Sequence, residues 1–299
     1  MRRKLDGVLL LDKPVGPSSS AVLQAVKRLF GAEKAGHAGT LDPLACGLLP
    51  LLFGGATKFA QYTLAASKEY VAGVRLGSAT DTGDAEGQVL ERRPVDVDDA
   101  RLAQALARFR GDFEQVPPMY SALKHGGQPL YALARAGHSV KRASRRVRVH
   151  ELELISRKED LLRLRIRCSK GTYVRQLAVD LGLALGTVAH LEALRRTAVG
   201  GFRIEQAVSL DDLQTLGDQA RQAWLLAPDR LLEDLPRLDL EEEQARRFMN
   251  GQSLQLAARE RPVAGEGPCR VYRQKGALLG VGEARAGGSL HPVRLLASG

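Results

Sequence analysis

The stretch from Lys34 to Pro50 reads KAGHAGTLDPLACGLLP, and the interpretation of the whole chain starts from it. Glycines lie on both sides of His37 and free the backbone around this histidine. Asp42 stands directly before a proline, and this order favours an extended backbone at the carboxylate. The stretch therefore predicts a carboxylate in a fixed position, as a reactive group requires.

Two ordinary interpretations of this stretch stay open from the residues alone. Aspartate followed by proline is a common helix start, so Asp42 and Pro43 would begin a helix over the apolar run that follows. The helix dipole would then hold the carboxylate ionised, which suits a nucleophile or a base as well as a cap. His37 would likewise be an ordinary loop histidine.

The composition points to a polyanionic partner. The 299 residues include 44 Lys and Arg against 34 Asp and Glu, which gives a formal net charge of +10. Nucleic acid is the first candidate, although many basic proteins do not bind it. A chain of this length can form one large domain and one small domain.

Cysteine usage and hydropathy exclude several classes of protein. Cys46, Cys168 and Cys269 are far apart and form no Cys-x-x-Cys or Cys/His cluster, which argues against a disulfide framework and a zinc site. The first apolar run ends at Asp12, too early for a signal peptide, and glycine and proline interrupt the run over residues 44–53. We therefore expect a soluble cytoplasmic protein without a metal and without membrane contact.

Hydrophobic periodicity predicts helices and strands on both sides of the Asp42 stretch. The predicted helices cover residues 21–31, 57–65, 102–111 and 174–181, and the predicted strands cover residues 9–11, 68–77 and 162–168. The strand over 162–168 has one apolar face and one line of arginines. Tyr70 falls on the apolar face of its strand, so a core tyrosine is one interpretation of it.

The segment around residue 173 combines the end of a strand with the start of a helix. Thr172 is the predicted N-cap, which places Tyr173 and Arg175 in the first turn. In α/β sheets, ligand-binding and catalytic sites commonly lie at strand ends of this kind. From local sequence alone, Arg175 would pair with Asp180. Cys168 lies one residue too far from Arg175 for a cysteine phosphatase loop, so we discount a thiol nucleophile.

Three further segments are less specific. Residues 81–87 form a polar loop whose carboxylates lack calcium-loop spacing, so a solvated turn is the better interpretation. Residues 112–148 contain a basic run, which suits a solvated face or an RNA-gripping insertion equally well. Its cations are Arg135, Lys141, Arg142, Arg145, Arg146 and Arg148. From about residue 238, one helix over 241–249 and short strand-like pieces predict a small β-barrel, with a plain C-terminal cap as the alternative.

Five motifs, in order, resemble those of the TruB family of tRNA pseudouridine synthases. They are GVLLLDKPVG at 7–16, GHAGTLDP at 36–43, KEY at 68–70, SKGTYVR at 169–175 and LRR at 194–196. The resemblance implies an α+β fold with a mixed pseudouridine-synthase sheet flanked by helices and a PUA-like C-terminal β-barrel. The implied domains are a catalytic domain over 1–236, with the RNA-gripping insertion at about 112–148, and an RNA-binding domain over 237–299.

The resemblance also implies which residues form the site. Asp42 would be the catalytic carboxylate, Arg175 would pair with it through a fork of hydrogen bonds, and Tyr70 would stack on the target uracil and act as a base. The implied substrate-binding residues are His37, Tyr173, Leu194 and Lys13. A guanidinium favours the ionised form of a carboxylate, so the pairing agrees with general electrostatics.

The implied activity is conversion of uridine-55 in the T arm of tRNA to pseudouridine, without a cofactor. We expect a monomer that needs no guide RNA. A guide-RNA-dependent synthase of the dyskerin type shares the aspartate motif and is one rival. The other rival is an RNA chaperone that folds tRNA without chemistry, for which Asp42, Tyr70 and Arg175 together would be unnecessary.

Overall fold

The computed structural model describes residues 2–121, 123–138, 140–257, 265–274 and 276–296. The strands are β1 Gly7–Lys13, β2 Ala35–His37, β3 Ala45–Phe53, β4 Lys68–Leu76, β5 Ser78–Thr80, β6 Val89–Arg92, β7 Gly111–Gln115, β8 Lys124–His125, β9 Gln128–Pro129, β10 Arg145–Lys158, β11 Leu161–Cys168, β12 Ala189–Val199, β13 Phe202–Arg203, β14 Val208–Ser209, β15 Arg237–Leu240, β16 Leu254–Gln255, β17 Gly267–Arg273, β18 Leu278–Ala284 and β19 Ser289–Leu295. The α-helices are α1 Ser19–Leu29, α2 Ala60–Ala65, α3 Asp99–Arg108, α4 Leu130–Arg135, α5 Val174–Ala184, α6 Leu210–Thr215, α7 Asp218–Gln222 and α8 Glu242–Met249. Short 3-10 helices cover Gly54–Phe59, Ile204–Gln206, Pro228–Leu232 and Ala286–Gly288. Within these ranges, no helix combines the length and the apolar character needed to cross a membrane.

Ten strands of the described chain form one mixed sheet. Its main path has the order β14-β1-β3-β12-β4-β11-β10-β7, while β2 pairs with β3 and β13 pairs with β12. The pairs β1–β14 and β3–β12 are parallel, and the other neighbours on the path are antiparallel. Apolar residues of α1, α3 and α5 belong to the clusters that cover this sheet. The predicted α+β class with a mixed sheet flanked by helices is confirmed.

The apolar run after Asp42 is strand β3, so the prediction of a helix start at Asp42 and Pro43 is wrong. β3 lies between β1 on one side and β12 and β2 on the other. A strand buried on both faces has a continuous apolar sequence, and periodicity does not distinguish it from a buried helix. Pro50 fits because it lies between the pairings of β12 and β2, where its missing N–H is tolerated.

Strands β4 and β11 alternate as predicted. Ala72 of β4 and Leu164 of β11 are buried in one cluster with residues of α3 and α5. Arg163 and Arg165 lie on the opposite, exposed face, where Arg165 forms an ion pair with Glu153 of β10 at 3.3 Å. In this part of the sheet, one face is therefore packed by helices, and the other carries charged side chains towards solvent.

The segment predicted as an RNA-gripping insertion begins and ends inside the main sheet. Residues 111–115 of β7 pair with residues 145–149 of β10. Residues 116–144 leave the sheet between these strands and contain the hairpin β8-β9 and helix α4. The side chain of Arg135, which the prediction included, lies outside the described part of the chain.

A second sheet follows residue 236. Its five described strands have the order β15-β17-β18-β19-β16, and helix α8 packs on it through Phe248. The sheet curls into a half-barrel, as a PUA-like domain does. β15 and β16 were not predicted because runs of four and two residues give little periodic signal. The change of sheet supports our proposal that the domain boundary lies between residues 236 and 237.

We expect Gly47→Ala to destabilise the protein strongly, because Gly47 has φ +100° and a Cβ there would lie 2.3 Å from the Arg196 carbonyl oxygen. Backbone strain alone costs about 1–3 kcal/mol, and the collision adds to it. Gly16→Ala is the matched control, since Gly16 has φ +106° but open space around its Cβ position. Chemical denaturation should give the larger loss of unfolding free energy for Gly47→Ala. Equal losses would contradict the close approach of β3 and β12.

Candidate active site

The loop between β2 and β3 holds Asp42 at the edge of a cleft. The Asp42 carbonyl accepts from the N–H of Ala45 at 3.1 Å, and the Pro43 carbonyl accepts from the N–H of Gly16 at 2.9 Å. These bonds attach the loop to the start of β3 and to the turn after β1. The Asp42 side chain is 47% exposed, so its carboxylate is open to a bound molecule.

Arg175 reaches Asp42 from the first turn of α5. Its Nη2 donates to Oδ2 of Asp42. The expected fork between these two side chains is not formed, because Nε lies 3.1 Å from Oδ2 of Asp84 and Nη1 donates to the Thr82 carbonyl at 3.3 Å. Asp180, the partner expected from local sequence, accepts from a residue of its own helix instead. The buried guanidinium is therefore shared between two carboxylates.

Asp84 is a site residue that sequence reasoning missed. The predicted solvated turn over 81–87 is wrong for this residue, which is 3% exposed. The Thr82 hydroxyl donates to Oδ1 of Asp84 at 2.6 Å, and backbone hydrogen bonds with Leu191 attach the loop to β12. The sequence of this loop does not indicate that Asp84 pairs with Arg175 of the distant helix α5.

Thr172 does not cap α5, so that prediction is wrong. Tyr173 occupies the N-cap position without a side-chain cap bond. The buried Gln115 of β7 binds its backbone instead, accepting from the Tyr173 N–H at 2.8 Å and donating to the Tyr173 carbonyl at 3.1 Å. A side chain from a distant strand thus fixes the helix start, which local sequence does not reveal.

The structure brings five of the predicted site residues together. Asp42, Tyr70, Tyr173, Arg175 and Leu194 all line one cleft of about 310 Å³. This volume falls at the lower end of the range for small-ligand pockets. The tyrosines and the leucine offer apolar surface beside the carboxylate and the guanidinium. The cleft can therefore hold a flat ring with one edge near an anionic oxygen.

Arg145 extends the cleft towards the insertion. Its guanidinium lies 4.7 Å from the centroid of the Tyr173 ring, and Nη2 donates to the Gly171 carbonyl. Arg145 also lines the cleft. An arginine over a tyrosine ring holds the ring by a cation–π contact. The start of β10 thus helps to fix one wall of the cleft.

Arg196 lines the cleft and is another residue that sequence reasoning missed, although it belongs to the LRR motif. It is 1% exposed, and its guanidinium donates to the carbonyls of Leu48 at 2.7 Å and Gly39 at 3.1 Å. Among the described residues, no carboxylate lies within ion-pair distance of it. A strand pattern shows which face a residue occupies but not that an arginine there is buried.

Burial and Arg196 shift the pKa of neighbouring groups. The pKa of His37 is lowered, and the pKa of Lys68 falls to about 8. For both groups burial is the largest cause, and the charge of Arg196 is the second. Burial raises the pKa of Tyr70, against an opposing effect of Arg196. At neutral pH His37 is therefore uncharged and Tyr70 keeps its proton, and burial opposes the loss of that proton.

His37 and Lys13 lie outside the residues that line the cleft. His37 ends β2, and its buried Nδ1 has no hydrogen-bond partner within the described structure. Lys13 is fully buried, and its ammonium donates to the carbonyls of Pro14 at 2.8 Å and Ala45 at 2.7 Å. These contacts connect the turn after β1 with the start of β3 and give no support to direct substrate binding.

No three His, Cys, Asp or Glu side chains gather into a metal-ligating group in the described ranges. The three described cysteines are free thiols, and burial raises the pKa of Cys168 to about 11. This thiol is therefore protonated at neutral pH, which agrees with discounting it as a nucleophile.

Three family models match the chain in sequence. The model "TruB family pseudouridylate synthase (N terminal domain)" matches residues 27–174. The model "tRNA pseudouridylate synthase B C-terminal domain" matches residues 175–235, and "Pseudouridine synthase II TruB, C-terminal" matches residues 236–296. The first model covers Asp42 and Tyr70, and the second begins at Arg175.

Full-length relatives and solved structures agree with these matches. A protein named tRNA pseudouridine synthase B from Azoarcus sp. (strain BH72) is 50% identical over 297 residues, covering 99% of this chain and 97% of the relative. A protein of the same name from Burkholderia mallei (strain NCTC 10247) is 54% identical over 300 residues, covering 100% of this chain and 99% of the relative. A crystal structure of a Cbf5-Nop10-Gar1 complex contains a similar chain, with a TM-score of 0.75 and 26% identity over 97% of this chain and 85% of that chain. The chain therefore belongs to the TruB family of pseudouridylate synthases.

Proposed function

We propose that this enzyme converts uridine-55 in the T arm of tRNA to pseudouridine. One observation carries the proposal: the Asp42 carboxylate is held by the buried Arg175 guanidinium in a cleft lined by two tyrosines. Relatives at 50–54% identity, named tRNA pseudouridine synthase B, support tRNA as the substrate and isomerisation as the reaction.

The reaction moves a bond within one nucleotide. The bond from ribose C1′ to uracil N1 breaks, the base turns over, and C1′ joins C5. C5 loses a proton and N1 gains one, so no electrons and no heavy atoms are exchanged with a second reactant. We therefore expect that neither a redox cofactor nor a metal takes part.

The target base must leave the folded T arm before it can react. Flipping a base out of its stack costs a few kcal/mol, which contacts in a pocket offset. Tyr70, Tyr173 and Leu194 line the cleft and would stack on the flipped uracil. The uncharged His37 would lie near the vacated position and keep the RNA open.

Asp42 would act on the flipped nucleotide, and three routes fit its position. It can attack C1′, add to C6 of the base, or remove the C2′ proton to form a glycal. A base then removes the C5 proton, and this base is either a water molecule or Tyr70 after it has lost its own proton. Lys13 would serve the substrate indirectly, since its ammonium connects the turn after β1, at the Pro14 carbonyl, with the end of the Asp42 loop, at the Ala45 carbonyl.

We also propose that the protein works as a monomer in the cytoplasm and needs no guide RNA. The likeness to a chain of the Cbf5-Nop10-Gar1 complex, at 26% identity, raises the alternative of a guide-RNA-dependent enzyme. Relatives with about twice that identity are named as tRNA enzymes, which favours direct recognition of tRNA.

The purified protein should release tritium from a bare T-arm stem-loop labelled at C5 of the target uridine, with no guide RNA present. Asp42→Asn should bind the same RNA but release no tritium, because the amide cannot act as a nucleophile or a base. An inactive wild-type protein would contradict the proposed substrate, and turnover by the Asn variant would remove the role of Asp42.

We expect Arg175→Lys to slow the reaction by about a hundredfold, because a single ammonium cannot bridge Asp42 and Asp84 as the guanidinium does. Single-turnover tritium release measures this effect. Arg167→Lys is the matched control, since Arg167 pairs with Glu151 on the exposed face of the sheet, away from the cleft. Similar rates for the two variants would count against the bridging role.

The basic insertion should contribute phosphate contacts. A variant with Lys124→Gln, Lys141→Gln and Arg142→Gln should bind tRNA more weakly and with a flatter salt dependence, by about 0.7–0.9 log-log units per lost contact. The control variant carries Lys158→Gln, Arg163→Gln and Arg165→Gln. It removes three charges from the exposed face of the main sheet, outside the insertion. An unchanged slope for the insertion variant would show that these side chains do not touch RNA.

A further inference from the structure

Ser19, the first residue of α1, is bonded to the loop that carries Asp42. Its side chain is 1% exposed. The hydroxyl oxygen accepts from the N–H of Leu41 at 2.8 Å, and the O–H group donates to the carbonyl of Leu41 at 2.8 Å. One buried hydroxyl thus binds both backbone groups of the residue that directly precedes Asp42.

These two bonds orient the backbone of Leu41, whose side chain is buried in a core cluster with residues of α1. Within the described chain, the backbone groups of Leu41 have no backbone hydrogen-bond partner. Gly39, two residues earlier, has φ +95°, so the loop bends sharply just before this point. A buried N–H and carbonyl need partners, and the Ser19 hydroxyl supplies both.

The backbone at Leu41 controls the direction of the Asp42 side chain. The Leu41 carbonyl and the Asp42 nitrogen belong to one planar peptide group. A hydrogen bond to this carbonyl therefore also fixes the orientation of the Asp42 nitrogen. The Asp42 carboxylate is 47% exposed, and the Arg175 guanidinium binds one of its two oxygens. A rotation of the peptide plane would therefore move the other oxygen.

We propose that Ser19 is a positioning residue that orients Asp42 for the reaction through the backbone of Leu41. This inference rests on the proposed function, in which Asp42 reacts with the flipped nucleotide. Ser19 does not line the cleft, so a substrate bound there would not touch it. Its loss should therefore reduce the rate of the chemical step while leaving RNA affinity almost unchanged.

The neighbouring Ser18 provides a matched control. It caps the same helix, and its hydroxyl accepts from the N–H of Ala21 at 3.2 Å on the exposed side. Ser18→Ala thus removes the same atom from the same helix start and destabilises it, without touching the Asp42 loop. Comparison with Ser18→Ala therefore distinguishes a loss of helix stability from a loss of Asp42 positioning.

The experiment compares the wild-type protein, Ser19→Ala and Ser18→Ala on the C5-tritiated T-arm stem-loop. Ser19→Ala should lower the single-turnover rate constant by about tenfold to a hundredfold, because a displacement of about 1 Å at a reacting group has an effect of this size. Its Kd for the RNA should stay within about twofold of wild type. Ser18→Ala should show a lower thermal midpoint and a rate within about twofold of wild type.

A rate for Ser19→Ala within twofold of wild type would overturn the proposal, and so would a rate loss matched by Ser18→Ala at equal destabilisation. If Ser19→Ala does not fold, Ser19→Cys replaces it, since the thiol keeps the size but forms weaker hydrogen bonds. A folded Ser19→Cys with the wild-type rate would also overturn the proposal. An inactive wild-type protein would instead reject the proposed function, so the two failures are distinguishable.

Discussion

The buried guanidinium of Arg175 joins three segments that are far apart in sequence: the loop of Asp42, the loop of Asp84 and the start of α5. A buried cation is unfavourable unless it is bonded or paired. Here Asp42 and the Thr82 carbonyl accept hydrogen bonds from the guanidinium, and Asp84 forms an ion pair with it. Removal of Asp42 would leave the buried Nη2 of Arg175 without its acceptor. The Asp42 side chain is nevertheless about half exposed, so the contact with Arg175 leaves part of this carboxylate accessible from the cleft.

Positive charge is concentrated in the protein behind the cleft. Lys13, Lys68 and Arg196 are all at least nine-tenths buried, and their N–H groups donate to backbone carbonyls. A carbonyl satisfies a donor but does not neutralise its charge, so these three cations contribute a positive field in the cleft. This field offsets the repulsion that the Asp42 carboxylate would otherwise exert on a phosphate backbone. The burial that makes the field strong also lowers the pKa of both lysines.

Sequence patterns predicted those parts of the fold in which one face of an element is buried. Helix α1 and strands β4 and β11 are amphipathic, and their periods appear in the sequence. β3 is enclosed on both faces, so its sequence does not distinguish a strand from a buried helix. Asp84 and Gln115 act on residues far along the chain, and one sequence gives no sign of such pairs. Local reasoning selected Asp180 for Arg175, and only the resemblance to a family pointed to Asp42.

β3 also determines where the second sheet lies relative to the cleft. The strand leaves the Asp42 loop at one end and runs into the 3-10 helix at Gly54–Phe59 at the other, a length of about 30 Å for its nine residues. That 3-10 helix packs with Tyr272 and Leu278 of the second sheet, and Lys58 donates to the Leu295 carbonyl at 2.7 Å. The cleft and the second sheet are thus held at opposite ends of one buried strand. An RNA that contacts both surfaces meets them already arranged, so binding does not have to order one domain against the other.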